Sequence, residues 1–426
     1  MKKYIYLIII LLFNLKSTAQ TITFADDVAP IFFKNCLPCH QKNGGAPFEL
    51  ITYDDIKDKS SLIKYVINKR IMPPWKADHN YRSFLNERIL AEDEIKTINQ
   101  WVEEGMQGGN LDEIKYPESG SFKAEQEEYA DADIVIKMPE HTISVSNKDE
   151  FVNYVSALKL ANDKFMIASK VIPGNVKLLH HAAIEADTLK RFDNNVINKT
   201  PLEYEELGYY NPPFIEFCAS YLPGMSLFKL PKGMASKVYK KSKIIFAMHY
   251  SPNSLQNQKD KTELHLYFAK DTVNLRETKL DMHKPNFDRT KTYTVPHDSI
   301  YTINMITPSI NQDVSVFAIQ PHMHLLGKSW KIWAVTREKD TIPLISIPQW
   351  DFNWQTIYYY PSLVIIPQGS VFYAEATYDN TVNNPRNPNS PPKDVKIFGM
   401  NTLDEMCEYY IYYTPYKKGD EQLEIW

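Results

Sequence analysis

Two cysteines separated by two residues, with a histidine directly after them, stand at Cys36-Leu37-Pro38-Cys39-His40. At this spacing two thiols can join a porphyrin covalently while the imidazole binds its iron from one side, the attachment of a c-type haem. A second set of residues could hold metal. The chain has 11 histidines, and five of them fall in three compact motifs: Leu179-His180-His181-Ala182, Met248-His249-Tyr250 and Pro321-His322-Met323-His324-Leu325.

These residues act only if secondary structure aims them. His322 and His324 are two apart on a strand-like run, so both rings project from one face as a natural ligand pair. His180 and His181 are adjacent and would point oppositely on a regular strand, so sharing one metal requires a bulge or a strand end. His249 alone would more readily be a buried, hydrogen-bonded core residue. Three such motifs in one strand-rich region point to metal instead.

The haem motif needs its own frame. Residues 20–109 read as helical. Val28, Ile31 and Phe32 recur at helical spacing before Cys36, and Leu62, Ile63, Val66 and Ile67 form one face of a second helix. A third helix, 91–104, carries Ile95, Ile98, Trp101 and Val102, has acids in its first turn, and can end at Gly105. Three helices around the haem motif predict a small all-α cytochrome c domain with one covalent haem. Its second axial ligand is expected at Met72, held outward by the prolines of Ile71-Met72-Pro73-Pro74-Trp75, with His79 as the rival.

Residues 110–132 are polar and acid-rich and read as a linker. Beyond them the period changes to strands. Val314, Val316, Ala318 and Gln320 are expected on one side, with Phe317 and Ile319 on the other, and Phe372, Ala374, Ala376 and Tyr378 alternate similarly. Two all-β, jelly-roll-like sandwiches follow, at 133–275 and 276–426. Gly327-Lys328-Ser329 is no phosphate loop, because the first glycine of that motif would fall on His322.

A length of 426 residues suits two or three domains, and 43% hydrophobic with 23% charged residues is the composition of folded soluble chains. The 27 tyrosines and only 14 glycines favour strands over glycine-rich loops. A net charge of −4 does not indicate a nucleic-acid partner. Met1-Lys2-Lys3, the apolar run Tyr4 to Phe13 and the small residues Ser17-Thr18-Ala19 read as a signal peptide over 1–19, which predicts a periplasmic or secreted protein. That run is short of the ~20 apolar residues a membrane span needs, and no later stretch reaches that length. Of four cysteines, Cys218 and Cys407 remain beside the haem pair, and an exported chain permits a disulfide between them.

The ordered set "HHAA", "AMHYSPN", "QPHMHLLGKSW" and "TLDEMCEYYIYY" resembles the copper type II, ascorbate-dependent monooxygenases, the family of peptidylglycine hydroxylating monooxygenase and dopamine β-hydroxylase. The resemblance runs from about Asp133 to the C-terminus. It implies two coppers. His180, His181 and His249 would hold the electron-transfer copper in the first sandwich, and His322, His324 and Met406 the oxygen-activating copper in the second. A soft thioether at Met406 suits Cu(I), the state that meets O2. Met400 is the rival thioether. The peptide-acting members carry an arginine two residues before the His-x-His pair, where this chain has Gln320, so glycine-extended peptides are not its expected substrates.

The haem motif, the signal peptide and the resemblance together imply an exported haem- and copper-containing monooxygenase that inserts one atom of O2 into a C–H bond of a small organic substrate. Electrons would come from an external donor, an ascorbate-like reductant or a redox protein, and pass through haem to the first-sandwich copper. The competing expectation is a periplasmic electron-transfer or copper-binding protein without oxygenase turnover.

Overall fold

The computed structural model describes residues 21–41, 46–85, 87–116, 129, 131–188, 215–221, 227–285, 293–397 and 402–426. The expected signal peptide, most of the linker and Met400 lie outside these residues. The chain divides into two compact units: residues up to 42 with 47–73 and 90–118, and residues 43–46 and 74–89 with 119–426.

Among the described residues the first unit contains four short α-helices. A single π turn at Phe24–Val28 leads into α1 (Ala29–Asn35), followed by α2 (Tyr53–Asp58), α3 (Ser60–Asn68) and α4 (Glu92–Glu103). α2 opens on a capping box: Asp55 N–H donates to Thr52 Oγ1 at 3.2 Å, and Thr52 N–H donates to Asp55 Oδ2 at 2.9 Å. Phe24, Phe32, Ile56, Ile63, Ile98 and Trp101 form its core. The expected small all-α cytochrome c domain is overturned. The chain is mostly β, only about 13% helical, and has no sizeable all-α N-terminal domain. Helices of 6 to 12 residues are too short to stand without packing, and Pro30, Pro38, Pro47 and the Pro73-Pro74 pair confine the helical runs between turns.

The second unit is built from β-sandwich-like pairs of sheets, antiparallel except for a short parallel pairing of Arg276–Glu277 with Met234–Ala235. The first pair uses β1 (Ile134–Lys137), β2 (Glu150–Ala157), β3 (Lys164–Ile172), β4 (Leu179–Asp187), β5 (Ile215–Tyr221), β6 (Met234–Val238), β7 (Lys243–Tyr250) and β8 (Glu263–Phe268). One sheet runs β1-β8-β3-β6 with two-residue strands at its margins, the other β2-β7-β4-β5. Met166, Leu264 and Leu266 from one sheet share a core with Val152, Ile184 and Phe246 from the other.

The second pair uses β9 (Lys279–His283), β10 (Ile300–Ile306), β11 (Val314–His322), β12 (Gly327–Val335), β13 (Thr341–Ile347), β14 (Tyr358–Ile366), β15 (Val371–Asp379) and β16 (Glu408–Pro415). Its sheets run β9-β16-β11-β14 and β10-β15-β12-β13. The segment 74–89 straps this sandwich: Ala77 and Phe84 join its core, Asp78 N–H donates to Ser346 O at 2.8 Å, and Leu85 N–H to Tyr359 O at 2.7 Å.

β11 is covered on both faces, and a bulge between Val316 and Ala318 changes which residues go where. Val316 and Ile319 enter the second-sandwich core, whereas Phe317 and Ala318 pack with the first-sandwich core. The strict alternation expected from Val314 to Gln320 therefore breaks at Phe317. A bulge adds one residue and re-aims everything after it. Past the bulge, Ala318, Gln320 and His322 pair with Tyr412, Tyr410 and Glu408 on the face toward the first sandwich.

Candidate metal centres

In the first unit the cysteine motif forms a turn directly after α1. Cys39 N–H donates to Cys36 O at 3.2 Å and His40 N–H to the same carbonyl at 3.0 Å. His40 Nδ1 lies 2.9 Å from the Phe48 carbonyl. A carbonyl only accepts, so Nδ1 carries the proton and Nε2 keeps its lone pair for a metal. Burial lowers the proton affinity of His40, with the Phe48 bond opposing it. Burial also pushes the Cys36 thiol up to about 12, helped by Cys39 and Glu94. Met72 follows α3 and is 38% exposed, as are its apolar neighbours Leu62, Tyr65 and Ile71 to similar or greater degree. His79 belongs to the strap of the second unit. None of the four cysteines is disulfide-bonded, so the bridge that export would permit between Cys218 and Cys407 is not made.

The first histidine set lies where β4 and β7 pair. A bulge sits between Leu179 and His181, and His181 faces His249 in register. The bulge puts both adjacent histidines on one centre. His181 Nδ1 stands 3.2 Å from His180 Nδ1 and 3.1 Å from His249 Nδ1, and the three side chains' ligand atoms all lie within 4.8 Å of one another. Nitrogens bound to one metal at roughly 2.0–2.1 Å with tetrahedral angles stand about 3.3 Å apart, so the donor set fits a metal such as copper. Desolvation drives His180 down to about 4 and His181 well below its ordinary value, each reinforced by the charge of His249, so both rings present lone pairs at neutral pH. Phe151 stacks on His249 at 4.1 Å. His249 Nε2 stands 3.2 Å from Asp149 Oδ1, close enough to pair although poorly aligned for a hydrogen bond. Burial alone would raise the Asp149 carboxyl, but His249 together with the Thr402 hydroxyl and amide holds it below the usual range.

The second set closes the end of β11. The His322 and His324 rings are 5.1 Å apart, nearly perpendicular. His322 Nδ1 donates to Gln355 Oε1 at 2.6 Å and His324 Nδ1 to the Asp404 carbonyl at 3.0 Å, which leaves each Nε2 as the donor atom. Glu405, 1% exposed, accepts from His324 N–H at 3.0 Å and Leu326 N–H at 2.6 Å. It also accepts from the Met406 N–H. Burial pushes Glu405 up to about 8 against those bonds. One carboxyl thereby ties the His-x-His turn to the segment bearing Met406, whose carbonyl is held by Tyr378 Oη at 2.7 Å.

Residues 287–423 match the family model for the copper type II ascorbate-dependent monooxygenase, C-terminal domain. The match supports that family for this chain. The matched family is copper-dependent and of the monooxygenase type, and its ascorbate dependence implies a small-molecule reductant and O2 for its members. The matched residues include His322, His324 and Met406. No curated protein matches the chain at a significant level. Among solved structures it is similar to peptide:N-glycanase F (8% identity, 66% of this chain and 96% of that one, TM-score 0.28). It is also similar to the PBSX exported protein XepA (10%, 58% and 86%, 0.17) and to PBCV-1 VP54 (9%, 66% and 93%, 0.23). At such TM-scores these likenesses carry no argument.

Several residues around the two sets carried no signal of their own in the sequence. Gln355, Trp350 and Phe352 come from the loop between β13 and β14, in "QWDFNWQ", and none is titratable. Trp350 Nε1 donates to His324 O at 3.2 Å. Asp149 could have been found only as an acid at the start of the strand that pairs with the one carrying His249. Glu405 was visible only as context for Met406.

Proposed function

We propose that the chain is a haem- and copper-containing monooxygenase that inserts one atom of O2 into a C–H bond of a small organic substrate. The observation that carries this reading is the convergence of His180, His181 and His249 on one point, beside a His322–His324 turn in a segment matching a copper-monooxygenase domain. His180, His181 and His249 would hold one copper through Nδ1, and His322, His324 and Met406 the other through two Nε2 atoms and a thioether. Copper at these sets supplies one-electron redox chemistry and, on the thioether side, O2 activation. The protein's own part is orientation and dryness. Gln355 and the Asp404 carbonyl fix the tautomers of the second set, Glu405 locks its turn, and Asp149 holds the His249 ring. Gln320 is held by Tyr412 Oη at 2.7 Å and leaves no cation there to anchor a carboxylate.

Cys36 and Cys39 would carry one haem c with His40 as an axial ligand through Nε2 and Met72 opposite. The exposed apolar residues Leu62, Tyr65, Ile71 and Met72 are the kind of surface a haem covers. Haem supplies a one-electron store fed from outside, and the location proposed for the whole is periplasmic or secreted. Two coppers per chain and incorporation of label from 18O2 into product are expected from reduced, copper-loaded protein. Copper binding without any labelled product from a broad substrate panel would leave an electron carrier in its place. Cys36→Ser with Cys39→Ser should abolish covalent haem while leaving the copper count at two.

A further inference from the structure

Phe352 touches a histidine of each set. Its ring centroid lies 5.4 Å from that of His180 and 5.6 Å from that of His324, at interplanar angles of 30° and 75°. The side chain is 5% exposed. Its loop is fastened to the second set. Gln355 accepts a hydrogen bond from His322 Nδ1–H through Oε1 and donates through Nε2 to the Phe352 carbonyl at 3.0 Å. Trp350 holds the His324 carbonyl from the other end of the loop. Asp351, next to Phe352, pairs with Arg386 at 2.7 Å and Lys76 at 3.3 Å. The ring is thus held by the second set and delivered against the first.

We propose that Phe352 is a positioning residue that fixes the separation of the two copper sites and supplies the contact through which an electron crosses between them. The proposal rests on the dicopper reading above. Phenylalanine has no ligand atom and no proton to exchange, so neither metal binding nor acid–base work accounts for its place between two imidazoles. A ring there replaces water with fixed apolar matter, which limits reorganisation when charge moves. The transfer would be of one electron: a copper held by the His180 set would go from Cu(I) to Cu(II), a copper held by the His324 set would gain that electron, and no bond would break and no proton move.

The test uses the full chain loaded with copper, as wild type, Phe352→Leu and Phe352→Tyr. Copper stoichiometry, the dipolar coupling between the two Cu(II) ions by pulsed EPR, and the rate of intersite electron transfer after flash reduction are measured. All three proteins should bind two coppers with unchanged single-site spectra. Phe352→Leu should broaden the dipolar distribution and slow transfer by roughly 10- to 100-fold, the range that small misplacements at such sites produce. Phe352→Tyr, which keeps the ring, should retain both. Unchanged coupling and rate in Phe352→Leu would overturn the proposal, as would loss of one copper there, since the ring would then support a ligand set. Fewer than two coppers in the wild type would instead overturn the dicopper reading.

Discussion

Replacing Glu185 by Gln should stabilise the metal-free protein at pH 8 and leave it unchanged at pH 4. Glu185 lies on β4, four residues past His181 and on the same alternating face. Burial raises its carboxyl from 4.5 to about 7, and the charge of Glu408 adds to the effect. A carboxyl raised on folding holds its proton more tightly in the native state. Below pH 4.5 both states are protonated and the group is silent. From there to about pH 7 the unfolded chain loses its proton first, so stability falls as pH rises, and above pH 7 the full penalty stands. The interval from 4.5 to about 7 corresponds to roughly 3 kcal/mol. Glutamine keeps the shape without the charge. Urea denaturation of both proteins at pH 4, 6 and 8 should therefore give a difference rising from within about 0.5 kcal/mol to roughly 2–3 kcal/mol in favour of the variant. Glu408→Gln should recover part of the same gain, because Glu185 then ionises without a neighbouring charge. A variant less stable than wild type at pH 8, or a difference flat across the three pH values, would refute the buried-carboxyl reasoning.

Gln355→Leu removes the acceptor that orients His322 and should weaken copper at the second set by about 10- to 100-fold while sparing the first, as competition with a chelator would measure. Gly327→Ala would set a Cβ 2.5 Å from both Met323 Sδ and Trp350 Cδ1. The overpacking should cost about 1–3 kcal/mol in thermal denaturation. Asp420 accepts both Arg276 nitrogens at 2.7 and 2.8 Å and Ser315 Oγ at 2.5 Å, so Asp420→Asn should cost about 3–5 kcal/mol at pH 7. Burial alone would raise the Asp420 carboxyl, but Arg276 and Ser315 hold it below 3.8, so the stabilisation is present above that value and the gap to the variant should close as pH falls below it.

The histidines of the first set were legible because adjacency itself poses a geometric problem. Two neighbouring rings on a strand can meet one metal only at a break in the ladder, and the ladder breaks between Leu179 and His181. The second bulge was not legible. "VSVFAI" is apolar at almost every position, so alternation carries no information about face, and β11 is buried on both sides. The helical periods near Ser60 and Glu92 were readable, as α3 and α4 show, yet they did not make a sizeable all-α domain. Periodicity reports a local stripe, whereas domain class depends on how much chain packs around it. The loop of Trp350, Phe352 and Gln355 shows a different limit. Its residues carry no charge and no ligand atom of the usual kind, and their roles exist only through partners 26 to 172 residues away in the chain, His324 and His180 being the extremes.

The two bulges act as one device. Without the break at Leu179–His181, only one histidine of the pair would face His249. Without the break at Val316–Ala318, the parity that carries Val314 and Val316 into the second-sandwich core would turn His322 to that face too. An extra residue in each strand costs ladder bonds and local regularity. That cost is tolerated where both faces of the strand are covered, as around Phe317, because packing holds the irregular backbone in place. Each bulge is accompanied by polar contacts to the histidines it re-aims: Asp149 on His249, Gln355 on His322, Glu405 on the His324 turn.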